Sequence, residues 1–172
     1  KLQSALTKNR LDKPDYKPDV EKAIKMASLA QAAYRELNCS NVQHGLPDWS
    51  VVHYHVVTDF LSRALVNHSL FGEDTVTLFQ AKNGTECALV FEGTDNAFES
   101  VTSMNQISAA FCGLRVFAGH KNELTHLFSD DAKVQDLNQK LGMCSSVTVT
   151  GHSLGGAAAS VYTACINSGH GP

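Results

Sequence analysis

The sequence predicts an α/β fold in which a mixed, mostly parallel sheet is flanked by helices. Three observations carry this prediction. Segments with helical periodicity alternate with short β-rich segments, and turn-forming residues separate them. The last β-rich segment, Ser145–Gly151, is an unbroken run rich in β-branched residues. Such runs are typical of strands in a sheet that is covered on both faces.

Three helices are predicted. The first begins after Asp19, which can cap it, and its apolar residues recur three and four positions apart. They are Val20, Ala23, Ile24, Ala27, Ala30, Tyr34 and Leu37. A second, long helix is predicted from about Lys121 to Leu141, where Gly142 ends it. The third helix follows Ser153 directly.

The remaining strands lie in the first half of the chain. Residues 50–60 alternate in the way a strand does, with His53 and His55 on one face. Two further β-rich runs, Thr75–Ala81 and Thr85–Phe91, flank Asn83-Gly84. This dipeptide predicts a hairpin whose turn has positive φ at both central residues. Residues 1–18 are predicted to be an N-terminal arm, and residues 19–172 a single domain that stops after the third helix.

Composition narrows the range of functions. The 172 residues carry a net charge of -3 and are 43% hydrophobic, which suits a single globular domain. The balanced charge argues against a nucleic-acid partner, and no apolar run is long enough to span a membrane. No Cys-x-x-Cys pair exists, and His53 and His55 have no evident third ligand. We therefore expect neither metal nor cofactor, and each histidine to be an ordinary core or surface residue.

Cysteines and glycosylation sequons favour the secretory pathway. Asn38, Asn67 and Asn83 each begin an Asn-x-Ser/Thr acceptor triplet. There are five cysteines, so at least one is free or pairs with another chain. Buried thiols, or one or two disulfides, are both compatible with this number. The sequence thus predicts a secreted glycoprotein.

The stretch around Ser153 predicts a nucleophilic serine. Gly151 to Gly155 fit the pattern G-x-S-x-G, placed between a β-branched strand and a helix. Glycines are needed because side chains at Gly151 and Gly155 would collide with the neighbouring strand and helix. The serine lies at a helix N-terminus, where free N–H groups favour developing negative charge. The alternative is a Gly-Ser helix start without chemistry.

Four segments of the chain resemble the class 3 triacylglycerol lipases, a fungal-lipase-like branch of the α/β-hydrolases. The segments are LAQAAY at residues 29–34, ALVFEGT at 88–94, RVFAGH at 115–120 and VTVTGHSLGGAAAS at 147–160. The match covers the N-terminal portion of that family, up to and including the nucleophile turn. The resemblance implies hydrolysis of a lipid or other carboxylic ester, without a cofactor.

The resemblance also assigns roles to individual residues. Ser153 is the nucleophile, and Thr94 and Leu154 supply the oxyanion hole. The segment after Thr94 is a lid, whose apolar residues recur every third position. They are Phe98, Val101, Met104 and Ile107. Such a helix can cover an apolar cleft or lie on a lipid surface, and an ordinary surface helix has the same pattern.

Some residues depart from the family pattern. Glu92 stands where arginine is usual, and Ser100 where a lid tryptophan is usual. The His and Phe of the third segment appear as Phe117 and His120. These departures suggest a divergent member with rebuilt packing contacts.

The residues after Ser153 do not complete a catalytic triad. They contain no aspartate or glutamate and only one histidine, His170, at the far end of the helix. His152 adjoins the serine, where packing is its expected role. Three explanations remain: the acid and base lie in residues absent here, the protein is a lipase-like scaffold that binds an apolar ligand or a partner, or the base is unconventional. Because the strand before Ser153 keeps an open flank, we expect a second chain or self-association to complete the sheet.

Overall fold

The computed structural model describes residues 19–34, 47–58, 73–93 and 107–169. Its helices are α1 (Val20–Ala33), α2 (Ala118–Leu127), α3 (Asp131–Leu141) and α4 (Leu154–Asn167). Its strands are β1 (Trp49–Thr58), β2 (Glu73–Ala81), β3 (Glu86–Phe91), β4 (Ser108–Phe111), β5 (Leu114–Phe117) and β6 (Ser146–Gly151). The predicted arm over residues 1–18 lies outside the described residues.

The main sheet is mixed, as predicted. Its strand order is β1-β2-β3-β6, with antiparallel β1/β2 and β2/β3 pairs and a parallel β3/β6 pair. Parallel pairing therefore does not predominate in these four strands, because hairpin-connected β2 and β3 must run in opposite directions. The central strand is β3, which is almost wholly buried.

Strand β6 lies at the edge of this sheet, and the prediction that it is covered on both faces is wrong for the described residues. Its residues are exposed or half-buried, and the Val147 side chain is 40% exposed. Among the described strands only β3 pairs with β6. Within the described residues the other flank of β6 is therefore open, as expected.

Helices cover both faces of the sheet, which gives three layers. On one face, Leu29 and Ala33 of α1 pack against Ala88 and Val90 of β3. On the other face, helices α2, α3 and α4 bury the alternate residues of β2 and β3, including Phe91. The period-two alternation of β3 thus divides its side chains between two apolar clusters.

The predicted hairpin is present with a different turn, and a second hairpin was not predicted. Strands β2 and β3 form the predicted hairpin, but neither Asn83 nor Gly84 has positive φ, so the predicted turn type is wrong. A longer connection, residues 82–85, joins the strands, so a two-residue turn with positive φ angles is not needed. The turn with two positive φ angles occurs instead at Cys112 (52°) and Gly113 (72°), between β4 and β5.

The predicted helix over 121–141 is two helices, separated at residues 128–130. The Asp130 carboxylate accepts hydrogen bonds from the backbone N–H groups of Ala132 (3.1 Å) and Lys133 (3.2 Å) and so caps α3. The Ser129 hydroxyl donates to the His126 carbonyl at 2.7 Å. Short polar side chains that bond to nearby backbone compete with helix continuation, and here they interrupt it.

Helix α1 begins as predicted, because the Asp19 carboxylate accepts the Lys22 N–H at 2.8 Å. Its predicted apolar stripe coincides with its core face only at Ala30. Val20 and Ile24 are 59% and 62% exposed, and the buried residues are Leu29, Ala30 and Ala33. Four residues of the stripe, Ala23, Ala27, Ala30 and Tyr34, line a groove beside β6, described below.

Two disulfides are present, within the one or two that the cysteine count allowed. Cys87 of β3 is bonded to Cys144 just before β6. Cys112, in the β4–β5 turn, is bonded to Cys165 of α4. Cys39 lies outside the described residues. Disulfides persist in oxidising compartments, so the pair is consistent with a secreted protein.

Candidate active site

Ser153 occupies a sharp turn between β6 and α4. Its backbone has φ 54° and ψ -120°, a conformation that residues with a Cβ rarely adopt. The side chain is exposed, and its hydroxyl does not cap the helix that it precedes. Serine before a helix normally serves as a cap, so this hydroxyl is held away from its ordinary structural use.

The glycines of the motif allow backbones to touch. A Cβ on Gly151 would overlap the Gly155 carbonyl and lie 2.8 Å from the Phe91 oxygen. A Cβ on Gly155 would overlap the carbonyl oxygens of Phe91 and Glu92. Any side chain at either position would therefore push α4 away from β3, as the motif predicted.

The N-terminus of α4 faces the site. Leu154 is the first helical residue, and the first N–H groups of a helix have no partner within the helix. Thr94, the other predicted oxyanion donor, lies outside the described residues. Its neighbour Gly93 is buried, and a Cβ there would overlap the His152 carbonyl oxygen. The chain before Thr94 therefore lies directly against the turn that carries Ser153.

His152 contacts Tyr34 at the C-terminal end of α1. The Tyr34 hydroxyl lies 3.0 Å from His152 Nδ1, and the two rings meet edge to face with centroids 5.7 Å apart. His152 was expected to pack, and it also takes part in this hydrogen bond. No sequence signal identified Tyr34 as its partner, because 118 positions separate the two residues.

Glu92, which replaces the usual arginine, bonds to the neighbouring strand. The Thr75 hydroxyl donates to the Glu92 carboxylate, and the Glu92 N–H donates to the Thr75 carbonyl at 3.1 Å. Thr75 is buried on β2. Glu92 thus ties the end of β3 to β2, which is one way in which the packing differs from the family pattern.

A groove of about 840 Å³ runs from α1 to Ser153 at the β6 edge of the sheet. We call it the edge groove. It is lined by Ala23, Met26, Ala27, Ala30, Gln31 and Tyr34 of α1 and its C-cap, and by Thr150, Gly151, His152 and Ser153. One wall is therefore the mostly apolar side of α1 that these residues form, and the other is the end of β6 and the serine turn.

The paired histidines lie on β1, at the opposite edge of the sheet from β6. His53 Nδ1 is 2.6 Å from the Asp136 carboxylate, which also accepts Lys140 Nζ at 2.7 Å. These hydrogen bonds, from Lys140 first and then His53, hold the pKa of Asp136 below its ordinary value. Burial is the main cause that lowers the pKa of His55 to about 4. Within the described ranges, no three His, Cys, Asp or Glu side chains are grouped to hold a metal ion.

The remaining predicted residues lie at the surface or outside the described part. Phe98, Val101, Met104, Asn38 and Asn67 are outside it. Ile107 is 71% exposed and precedes β4 in a non-helical conformation. Asn83 is exposed in the β2–β3 turn, where a glycan has room. None of the described helices is long and apolar enough to cross a membrane.

A mixed sheet between helix layers, with a strained serine between strand and helix, defines an α/β-hydrolase-like fold. More specifically, the chain has a class 3 lipase-like fold. Residues 88–170 match the family Lipase (class 3). No curated protein sequence matches the chain significantly.

Solved fungal lipases have a similar structure. A lipase from Rhizopus microsporus var. chinensis matches with 20% identity and TM-score 0.60, over 86% of this chain and 51% of that one. Lipase II from Rhizopus niveus matches with 21% identity and TM-score 0.62, over 87% of this chain and 56% of that one. A triacylglycerol lipase with a serine protease triad as its catalytic centre matches with 14% identity and TM-score 0.63, over 89% of this chain and 57% of that one. The chain thus spans about half the length of these lipases.

Proposed function

We propose that the protein is a lipase-like carboxylic ester hydrolase with Ser153 as its nucleophile. The observation that carries this proposal is the backbone of Ser153, which is strained and leaves the hydroxyl exposed and uncapped. Strain of this kind costs roughly 1–3 kcal/mol and persists where the surrounding structure and a function require it. A Gly-Ser helix start without chemistry would not need it.

The chemistry follows from the position of the hydroxyl. Ser153 Oγ attacks the ester carbonyl carbon while its proton passes to a base, which produces a tetrahedral oxyanion. The N–H groups of Leu154 and Thr94 receive that oxyanion. The intermediate then expels the alcohol, which takes the proton from the base, and leaves an acyl-serine. Water then attacks this acyl group while the same base takes its proton. The base returns that proton to Ser153 Oγ as the carboxylic acid leaves.

The acid and the base of the triad are proposed to come from outside these 172 residues. The sequence after Ser153 has no carboxylate side chain. Two of the described histidines, His53 and His55, lie at the far edge of the sheet, on β1. A lipase-like scaffold without hydrolysis, which binds an apolar ligand or a partner, is the alternative that the missing carboxylate favours.

The decisive experiment is phosphonate labelling of the protein as isolated, together with any further chain that it carries. An active-site phosphonate ester should attach to Ser153, and Ser153→Ala should abolish the attachment. Ser160→Ala is the matched control, because Ser160 is exposed on α4 and its hydroxyl only bonds the Gly156 carbonyl at 2.8 Å. Absence of labelling in the unaltered protein would contradict the proposal and favour the scaffold.

We also propose that a polypeptide strand pairs with the open flank of β6 and covers the edge groove. The flank of β6 that no described strand pairs with lies beside the apolar α1 residues of the edge groove, among them the exposed Ala23 and Ala27. Together they offer the hydrogen bonds and the apolar surface that an added strand and its helix need. The occupant is the polypeptide that carries the missing acid and base.

The 172-residue chain alone tests this docking proposal. With its edge groove uncovered, the chain should self-associate, as measured by sizing chromatography with light scattering. Ala27→Glu places a charge in the groove and should shift the chain towards monomer. Ser28→Glu is the control, because Ser28 is the adjacent exposed residue and does not line the groove. A stable monomer before any substitution would contradict the proposal.

The lid and the cellular location complete the proposed function. Ile107, with Phe98, Val101 and Met104, would contact a lipid surface and admit the ester to Ser153. Ile107→Ser should then lower the rate on an emulsified ester while the rate on a soluble ester is kept. The protein is proposed to be secreted and glycosylated at Asn83, which endoglycosidase treatment of the isolated protein would reveal as a mass loss.

A further inference from the structure

Three segments that are distant in the sequence meet at the Tyr34 hydroxyl. Tyr34 ends α1, Gly93 follows β3, and His152 precedes the serine. The hydroxyl lies 3.0 Å from His152 Nδ1. It also lies against Gly93, since a Cβ on Gly93 would overlap it and would come within 3.1 Å of Tyr34 Cζ.

Gly93 and His152 are the residues that immediately precede the two proposed oxyanion-hole segments. Thr94 follows Gly93, and Ser153 with Leu154 follows His152. The Tyr34 hydroxyl and the His152 carbonyl both lie against Gly93, on the side where a Cβ would be. A displacement of Tyr34 would therefore change the spacing between these two segments.

The position of Tyr34 is itself fixed by the core. Leu29, Ala30 and Ala33, in the last turns of α1, are buried against Phe79, Ala88 and Val90 of the sheet. The tyrosine ring thus extends from a helix end that cannot move freely, and its edge-to-face contact with His152 restricts the ring further. Rigid support of this kind is what keeps a reacting group in its productive geometry.

We propose that Tyr34 is a positioning residue for ester hydrolysis, whose hydroxyl fixes His152 and Gly93 so that the turn carrying Ser153 and Leu154 keeps its position against the end of β3. The inference rests on the proposed function, because it assigns to Tyr34 a role in that same site. Tyr34 does not transfer a proton to substrate. It acts through the backbone of its two neighbours, and its hydroxyl is the part that matters.

Tyr34→Phe tests the role, because it removes the hydroxyl and keeps the ring. On the protein as isolated, we expect kcat for a soluble short-chain ester to fall about tenfold with KM nearly unchanged. The reason is that misplaced oxyanion donors reduce the stabilisation of the transition state and leave binding of the substrate in its ground state unchanged. The rate of phosphonate attachment to Ser153 should fall by a similar factor. Tyr54→Phe, which removes a hydroxyl from an exposed tyrosine of β1, should change neither rate.

A double-mutant cycle separates this role from general stability. If Tyr34 acts through His152, the effects of Tyr34→Phe and His152→Gln on activity should not be additive. The double variant should then be about as active as the less active of the two single variants. Thermal melts of the single variants should remain close to the unaltered protein. The proposal would be overturned if the variants that lose kcat also lose melting temperature. It would also be overturned if the losses of rate in the two single variants were fully additive in the double variant.

The outcomes also distinguish the two proposals. If the unaltered protein is not labelled at Ser153, the hydrolase function fails and the role of Tyr34 fails with it. If the unaltered protein is labelled and Tyr34→Phe is labelled at the same rate, only the positioning role fails. Slow labelling of Tyr34→Phe beside normal labelling of Tyr54→Phe supports both.

Discussion

Gly155 lies directly against the carbonyl oxygen of Phe91, with no room for a side chain between them. This contact joins the first turn of α4 to the end of β3 and so fixes how deeply the helix enters the sheet. The depth of α4 in turn sets where Ser153 and the Leu154 N–H lie. Packing and the proposed chemistry thus depend on the same missing Cβ.

Gly155→Ala should therefore be strongly destabilising. The added Cβ would overlap backbone on two sides, and a loss of about 3 kcal/mol in the free energy of unfolding is expected. Gly84→Ala is the control, because its new Cβ would meet nothing closer than the Glu86 nitrogen at 3.9 Å. Urea titration of both variants gives the comparison, and a loss at Gly155 below about 1 kcal/mol would contradict the contact.

The two disulfides should contribute similar amounts of stability. They close sequence separations of 53 and 57 residues, and the chain-entropy estimate for loops of this length is about 4 kcal/mol each. Cys112→Ala/Cys165→Ala and Cys87→Ala/Cys144→Ala should thus lower unfolding free energy by about 2–4 kcal/mol, within about 1 kcal/mol of each other. Chemical denaturation of both double variants is the measurement. If only one double variant lost stability, the effect of the disulfides would arise mainly in the native state and not from the entropy of the unfolded chain.

Stability should fall on acidification because of His55. Burial, with additional effects of Lys133 and His53 and an opposing effect of Asp130, lowers its folded-state pKa from 6.5 to about 4. Since the folded pKa lies below the unfolded one, the contribution is complete above pH 6.5 and is lost as the pH falls towards 4. The full effect is about 3 kcal/mol at most.

His55→Leu isolates this contribution. Leucine fills a similar buried volume without a titrating group, so the dependence of unfolding free energy on pH between 6.5 and 4 should become flatter. Leu78→Ile, a buried substitution on β2 without a titrating group, serves as the control for changing the core and should keep the original slope. An unchanged slope in His55→Leu would show that other groups carry the acid sensitivity.

The sequence was sufficient for features that depend on local chemistry. The Asp19 cap, the β2–β3 hairpin and the serine turn each depend on residues within a few positions of one another. The helix break at Asp130 also has a local cause, a capping side chain, yet the apolar stripe across it gave the opposite indication. Where two local signals compete, periodicity alone does not decide.

The features that sequence did not predict depend on distant segments. The Tyr34–His152 hydrogen bond requires the fold to bring α1 beside β6. The exposure of Val20 and Ile24 depends on which part of α1 packs on the sheet, namely its C-terminal half, and periodicity does not record this. The β4–β5 turn at Cys112 and Gly113 is held by a disulfide to Cys165, and pairing cannot be read from cysteine positions.

At position 153, glycine should give a more stable protein than alanine. Its φ of 54° and ψ of -120° suit glycine and strain any residue with a Cβ. Ser153→Gly should therefore be about 1 kcal/mol more stable than Ser153→Ala, since both lack the hydroxyl and only alanine keeps the Cβ. Ser160→Gly against Ser160→Ala, in the middle of α4, should show the reverse order because glycine disfavours a helix interior. Urea titration of the four variants measures both differences. If alanine were the more stable residue at 153 as well, the turn would not be strained, and the observation that carries the hydrolase proposal would be lost.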